Sequence, residues 1–232
     1  KNIAYVGALS WLIGIDTDVV EKLLAEEFAS KAKLIGANIQ AFNLGRNWAK
    51  ENLKPIGLQL RHADAVGDRI FVEGNNAAAL GAVYGGATVC AWYPITPSTS
   101  LAEGFMEHCE ALRTNEDGSK RYAIVQAEDE IASIGIVVGA GWNGARAFTC
   151  TSGPGISLMN EFIGLSYFAE IPAVIFDVQR GGPSTGMPTR TQQSDLLLAA
   201  YASHGDTKHV LLLPADPGEC FEMGAQAFDL AD

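Results

Sequence analysis

The sequence predicts an α/β fold: a parallel sheet with helices on both faces, preceded by a small, mostly helical segment. Three observations carry this. From about residue 69, short apolar runs such as Thr88–Trp92, Ala145–Cys150 and Pro172–Val178 alternate with helical stretches of ten or more residues. Connections of that length join parallel strands, not hairpins. The runs are apolar nearly throughout, as strands covered on both faces require.

Composition narrows the class. The chain has 232 residues, 48% hydrophobic and 19% charged, enough for a substantial core. Its formal net charge is −11 and it has no block of Lys or Arg, which argues against nucleic-acid binding. Cys90, Cys109, Cys150 and Cys220 form no Cys-x-x-Cys pair, so no zinc or iron–sulfur signature is present. They read as reduced thiols of a cytoplasmic protein. No apolar run reaches membrane length, and Gly7 and Gly14 break the one near the start, which lacks a signal-peptide cleavage pattern. The first residue is Lys1 and the last is in a helical pattern, so a segment of a longer polypeptide is expected.

The elements follow in order. Ile3–Ile13 is apolar and helical, and Asp16 or Thr17 caps a helix whose buried face is Val19, Val20, Leu23, Leu24 and Phe28. A second amphipathic stretch carries Ile39, Phe42 and Trp48. Lys54–Asp68 contains Pro, two glycines and scattered charge, and marks a boundary. Domains are expected at 1–58, with the linker beginning there, and at 69–232, the latter continuing past its last residue. Arg69–Glu73 reads as a strand or a lead-in, and Gly74 opens an Ala/Gly-rich helix. Then come a strand at Thr88–Trp92, a helix at Leu101–Leu112 capped by Ser98 or Thr99, and a strand at Tyr122–Gln126. A helix over Asp129–Asn143 and a strand over Ala145–Cys150 follow, then a helix over Ile156–Phe168 and a strand over Pro172–Val178. The last elements are a helix near Gln193–Tyr201, a strand over His209–Leu213 and a helix from Pro217.

Four stretches have the chemistry of a site. Ala91–Thr99 holds two prolines three residues apart, which fix the backbone twice and present the hydroxyls of Tyr93, Thr96, Ser98 and Thr99 from a rigid frame. It lies at a strand end, where α/β proteins place ligands. Gln126–Arg146 opens with Glu128, Asp129 and Glu130 ahead of an apolar helix. Acids in a first turn complement the helix dipole, yet three exceed that need, so one is a candidate working group. Gly135 and Gly139, four residues apart, allow another backbone to approach. Phe148–Gly155 ends in Ser-Gly-Pro-Gly, whose backbone N–H groups can hold a polar ligand but which lacks the third glycine of a dinucleotide site. Gln179–Asp195 is a Gly/Pro-rich loop with Arg180 and Arg190, whose guanidinium forks suit carboxylates. Gly182–Gly186 formally matches Gly-x-Ser-x-Gly, but Pro188 follows too soon for the helix that a nucleophilic Ser184 needs.

Together these motifs resemble the 2-oxoacid:ferredoxin oxidoreductases. Tyr-Pro-Ile-Thr-Pro-Ser-Thr, Gln-Ala-Glu-Asp-Glu-Ile-Ala, Thr-Ser-Gly-Pro-Gly and Arg-Gly-Gly-Pro-Ser-Thr-Gly-x-Pro-Thr stand in that family's order and spacing across 69–232. The last motif is similar to the 2-oxoglutarate branch. The resemblance implies the α subunit, whose domain binds the pyrimidine end of thiamine diphosphate, and residues 1–52 look like the tail of a fused γ subunit. It further implies oxidative decarboxylation of a 2-oxoacid to its acyl-CoA with reduction of ferredoxin. Pyruvate or a branched-chain 2-oxoacid is the alternative substrate, and a non-catalytic assembly module the alternative role.

By the same resemblance a carboxylate meets the aminopyrimidine ring nitrogen. Glu130, nine residues before Gly139, is preferred to Glu128 for that catalytic role. Tyr93, Pro94 and Gly153 would line the cofactor, and Thr96 and Arg180 the oxoacid. Ser184, Thr185 or Arg190 would meet a distal carboxylate. The chain has no Gly-Asp-Gly…Asn magnesium motif and no cluster-ligating cysteines. The resemblance therefore implies that Mg2+ and a [4Fe-4S] cluster sit in a partner β chain. It implies that this chain is inactive alone, that coenzyme A is a co-substrate, and that the enzyme is a dimer of αβ-type heteromers.

Overall fold

The structure, a computed structural model, describes residues 1–61 and 63–232. His62, inside the predicted boundary stretch, lies outside the described residues. The chain forms two compact units, Lys1–Ile70 and Phe71–Asp232.

The first unit is helical: α1 (Asn2–Ile13), α2 (Thr17–Glu27), a short 3-10 turn and α3 (Ala32–Asn52). Asp16 caps α2 by accepting from the Asp18 amide at 2.9 Å. α1 and α3 pack backbone to backbone, because Gly7 lies against the Phe42 carbonyl and Gly45 against the Ala4 carbonyl, where any Cβ would overlap. The expected buried face of α2 is corrected. Only Leu24 is buried, while Val19 and Leu23 are exposed, since the unit supplies no second layer on that side. Trp48 is exposed as well, and Phe42 alone anchors the middle of α3.

The second unit is α/β. It comprises α4 (Gly74–Tyr84), β1 (Val89–Trp92), α5 (Thr99–Leu112), β2 (Ala123–Gln126), α6 (Glu130–Trp142) and β3 (Ala147–Thr151). It continues with α7 (Gly153–Ala169), β4 (Val174–Asp177), α8 (Leu196–Ala200) and α9 (Pro217–Ala231). The strands are all parallel, in the order β2-β1-β3-β4. From β1 the chain leaves through α5 toward β2, and from β3 it leaves through α7 toward β4. These opposite departures place the switch point between the ends of β1 and β3.

Side-chain alternation divides the core. Cys90, Trp92, Phe148 and Cys150 pack with α4, α5 and α9, whereas Ala91 and Ala147 pack with α6 and α7. Phe148 is fully buried and meets Phe105, Phe176 and Phe228 edge-to-face at 4.8, 5.3 and 6.2 Å. Cover is incomplete only at the edge, where Ala123, Val125 and Gln126 of β2 are exposed.

Several boundaries differ from expectation. α7 starts at Gly153, three residues early, because Pro154 sits in its first turn, where a missing N–H is harmless. α8 is shorter than predicted, because Ser194 and Asp195 are drawn to the sheet edge. His209–Leu213 is not a strand: the sheet ends at β4, and the run has no ladder partner among the described residues. Arg69–Glu73 is a lead-in, with Ile70 and Phe71 exposed. Gly135 meets the ring of Phe162, not a backbone, and Gly139 faces open space.

Candidate active site at the carboxyl edge of the sheet

All four motif stretches emerge at one edge. β1 ends at Trp92, β2 at Gln126, β3 at Thr151 and β4 at Asp177, and each is followed by its motif. Parallel strands put their carboxyl ends together, so residues far apart in sequence converge here.

The three acids ahead of α6 have three fates. Glu128 is exposed. Asp129 caps the helix, its Oδ1 accepting from the Ala132 amide at 2.7 Å, and the Ser133 hydroxyl donates to its carbonyl at 2.8 Å. Glu130, the first helical residue, is buried to 7% exposure. Its stem packs against the Gly155 turn: a Cβ on Gly155 would stand 2.9 Å from Glu130 Cγ and would overlap the Thr151 hydroxyl. No hydrogen bond or ion pair reaches the Glu130 carboxylate among the described residues. A carboxylate with no protein partner at the mouth of a buried helix is suited to a ligand that completes it.

The Thr96 turn is pinned from behind. Asn75, on α4, donates from Nδ2 to the Pro97 carbonyl at 2.9 Å and to Ser100 Oγ at 2.8 Å. Ser98 stands at the N-cap of α5 but its side chain makes no capping bond; its hydroxyl donates to the Ile95 carbonyl at 3.0 Å and tightens the turn. Tyr93, Pro94 and Thr96 are exposed along this edge.

Arg180 is buried to 6%. Its Nη1 donates to the Thr96 carbonyl at 2.8 Å and its Nη2 to the Thr185 carbonyl at 2.6 Å, while Nε is buried without a partner. One guanidinium thus ties the β1 loop to the loop after β4 and keeps a donor in reserve for an anion. The second loop closes on a narrow neck. The Gly181 amide donates to the Arg190 carbonyl at 3.0 Å and the Met187 amide to the Gly181 carbonyl at 2.8 Å. Arg180 and Arg190 therefore spring from adjoining backbone, and Ser184, Thr185 and Arg190 are exposed. No helix follows Ser184 before Leu196, and no histidine is bonded to it among the described residues, so the formal hydrolase motif is accidental.

Sequence reasoning missed Asn75, Asp177 and Asp195 as parts of this edge. Asp177 ends β4 and its carboxyl is pushed up to about 7, chiefly by burial and then by the charge of Asp195. Asp195 presses its carboxylate on Gly153, covering the Cα face of that residue. An acid at the end of a predicted parallel strand was the signal available for Asp177. The core thiols are inert: burial pushes Cys150 up to about 12 and Cys109 up to about 11.

The sequence model of the family described as "Pyruvate flavodoxin/ferredoxin oxidoreductase, thiamine diP-bdg" matches residues 80–232. The chain belongs to that family. A second model, "Pyruvate ferredoxin/flavodoxin oxidoreductase", matches residues 1–48. Within this oxidoreductase family, the 2-oxoglutarate synthase subunit KorA of Methanothermobacter marburgensis is 46% identical over 165 residues, covering 71% of this chain and 42% of that subunit. The 2-oxoglutarate oxidoreductase subunit KorA of Mycobacterium tuberculosis is 37% identical over 241 residues, covering all of this chain and 35% of that subunit. A solved 2-oxoglutarate:ferredoxin oxidoreductase from Magnetococcus marinus, with 2-oxoglutarate, coenzyme A and succinyl-CoA bound, superposes with a TM-score of 0.76 at 38% identity. That match covers 99% of this chain and 39% of the other. The chain therefore spans well under half the length of these oxidoreductase relatives. No helix among the described residues is long and apolar enough to cross a membrane.

Proposed function

We propose that this chain is the pyrimidine-binding part of an α-type subunit, with a γ-type tail before it, of a thiamine diphosphate-dependent 2-oxoglutarate:ferredoxin oxidoreductase acting in the cytoplasm. The reaction converts a 2-oxoacid and coenzyme A into acyl-CoA and carbon dioxide and passes the electrons singly to ferredoxin. One observation carries the reading. Glu130 is buried, unpartnered and set beside the Gly155 turn, on the edge where Arg180 holds the Thr96 loop.

The residues fit the cofactor, since a carboxylate lacking a protein partner is what a protonatable ring nitrogen completes. When bound, thiamine diphosphate supplies a carbon nucleophile and an electron sink at the 2-oxo carbon. Glu130 holds a proton at the aminopyrimidine nitrogen and so adjusts its basicity. Tyr93, Pro94 and the Gly153 amide line the ring. Arg180 binds the C1 carboxylate through donors left free by its two carbonyl bonds, with Thr96 beside it. Ser184, Thr185 and Arg190 meet the distal carboxylate of a dicarboxylic substrate. On this reading Mg2+ and a [4Fe-4S] cluster belong to a β partner in a dimer of αβ-type heteromers.

The test is Glu130→Gln in the assembled enzyme, which keeps shape and removes the proton-holding group. Oxoacid- and CoA-dependent reduction of a one-electron acceptor should fall by about 10²- to 10⁴-fold. An undiminished rate would overturn the assignment and favour an assembly module. Running 2-oxoglutarate, pyruvate and a branched-chain oxoacid side by side identifies the substrate.

A further inference from the structure

We propose that the sheet holds an open slot between β4 and the run His209–Leu213, shaped for one more parallel strand, and that a strand following α9 in the same polypeptide fills it. The run has a strand's composition without a strand's partner. Val210 is 73% exposed, and Leu211 and Leu213 are exposed as well. No main-chain hydrogen bond reaches an amide or carbonyl of residues 210–213 among the described residues. β4 is the edge strand on its side and pairs with β3 alone. Its Val174 is buried, and Ile175 and Phe176 are half-buried. Such an edge presents a free row of main-chain donors and acceptors on an apolar strand, which is a template for another strand.

The hand of the connections places the slot. Crossovers between parallel strands of one sheet are right-handed. α6 and α7 cover one face and carry the chain in the direction of β4, from β2 to β3 and from β3 to β4. α5 covers the other face and carries it the opposite way, from β1 to β2. After β4 the chain passes through α8 on the α6 and α7 face, where Leu198 and Ala202 join that core. His209–Leu213 therefore lies outward of β4. The next helix, α9, is on the α5 face, with Phe228 in that core. A right-handed step through α9 leads back toward β4, into the space between β4 and the run. A step further outward would need a left-handed crossover. The far edge at β2 is screened, because α9 packs on α4 and α4 packs on α5.

α9 also brings the chain to the correct end of the sheet. Arg146, the residue before β3, holds the helix's last turn. Its Nε donates to Asp232 Oδ2 at 2.8 Å, and its Nη1 donates to Asp229 Oδ1 at 2.8 Å and to the Gly85 carbonyl at 2.7 Å. That is the amino end, where a parallel strand begins. A strand started there runs along β4 and finishes beside Asp177, so its last residue joins the edge that carries Glu130 and Arg180. Neighbouring strands stand about 4.8 Å apart, which sets β4 and the run about 10 Å apart across the slot. α8 and α9 cover opposite faces here, so the occupant is an apolar run of about four to six residues. The matched stretch is 35% of one KorA relative and 42% of another, so each has ample chain outside it.

Photo-crosslinking in the assembled enzyme, with the full-length subunit, tests the slot. Leu211 and, separately, Val210 are replaced by p-benzoylphenylalanine. Successive side chains of a strand face opposite sides of the sheet, so a strand in the slot lies beside both. The expected result is that each position joins an apolar segment following Asp232, within one polypeptide. Adducts confined to residues 1–232 overturn the slot. So do adducts to a different subunit or to a second copy, which would make this edge a docking face, and so does the absence of any adduct. Should neither variant assemble, hydrogen exchange of the wild-type enzyme decides. Amides of residues 210–213 protected by at least about 10²-fold support a filled slot, and exchange near the intrinsic rate overturns it.

Discussion

Gly155→Ala tests whether the Glu130 cradle is what the site depends on. Gly155 stands in the first turn of α7, and an added Cβ would overlap the Thr151 hydroxyl and come within 2.9 Å of Glu130 Cγ and 3.0 Å of Thr151 Cβ. Carbon atoms rest at about 3.5–4.0 Å, so Glu130 must retreat by roughly half an ångström or more. The Thr151 hydroxyl, fully buried at the end of β3, must shift as well. Overpacking of this kind costs about 1–3 kcal/mol of stability. Catalytic groups tolerate only about 0.5 Å of error, and a 1 Å misplacement costs about 10²-fold in rate. The assay is oxoacid-dependent acceptor reduction by the assembled enzyme, with thermal unfolding measured beside it. The expected outcome is a folded enzyme, modestly destabilised, with turnover lowered about 10- to 100-fold. Gly139→Ala on α6 is the control. It meets nothing within 4 Å and should leave turnover unchanged while adding up to about 1 kcal/mol through helix propensity. A folded G155A enzyme turning over within twofold of the wild type would refute the premise that the Gly155 turn places Glu130.

Two further outcomes are expected. Arg180→Lys leaves one ammonium where a fork served both Thr96 and Thr185, so KM for the oxoacid should rise by at least about tenfold, which steady-state kinetics will show. Phe148→Ala removes the ring that Phe105, Phe176 and Phe228 all contact, and denaturant unfolding should register a loss of about 3–5 kcal/mol.

Local residue patterns specify the parallel α/β scheme and the place of the motifs in it. Strand and helix periods are local properties, and a proline-rich or glycine-rich stretch after an apolar run marks a strand end without reference to the rest of the chain. The stretches that carry Thr96, Glu130, Gly153 and Arg180 therefore read as belonging to one edge. Which of the three acids is buried depends on the folded chain. Glu128, Asp129 and Glu130 are equivalent to a local reading, and they part company because α7 arrives with a bare glycine at position 155 to receive Glu130. The same holds for Asp195, which meets Gly153 forty-two residues earlier in the chain. His209–Leu213 shows the converse, an apolar run that reads as a strand yet has no neighbour to pair with. Burial and pairing are supplied by residues distant in sequence, so no short window of sequence contains them.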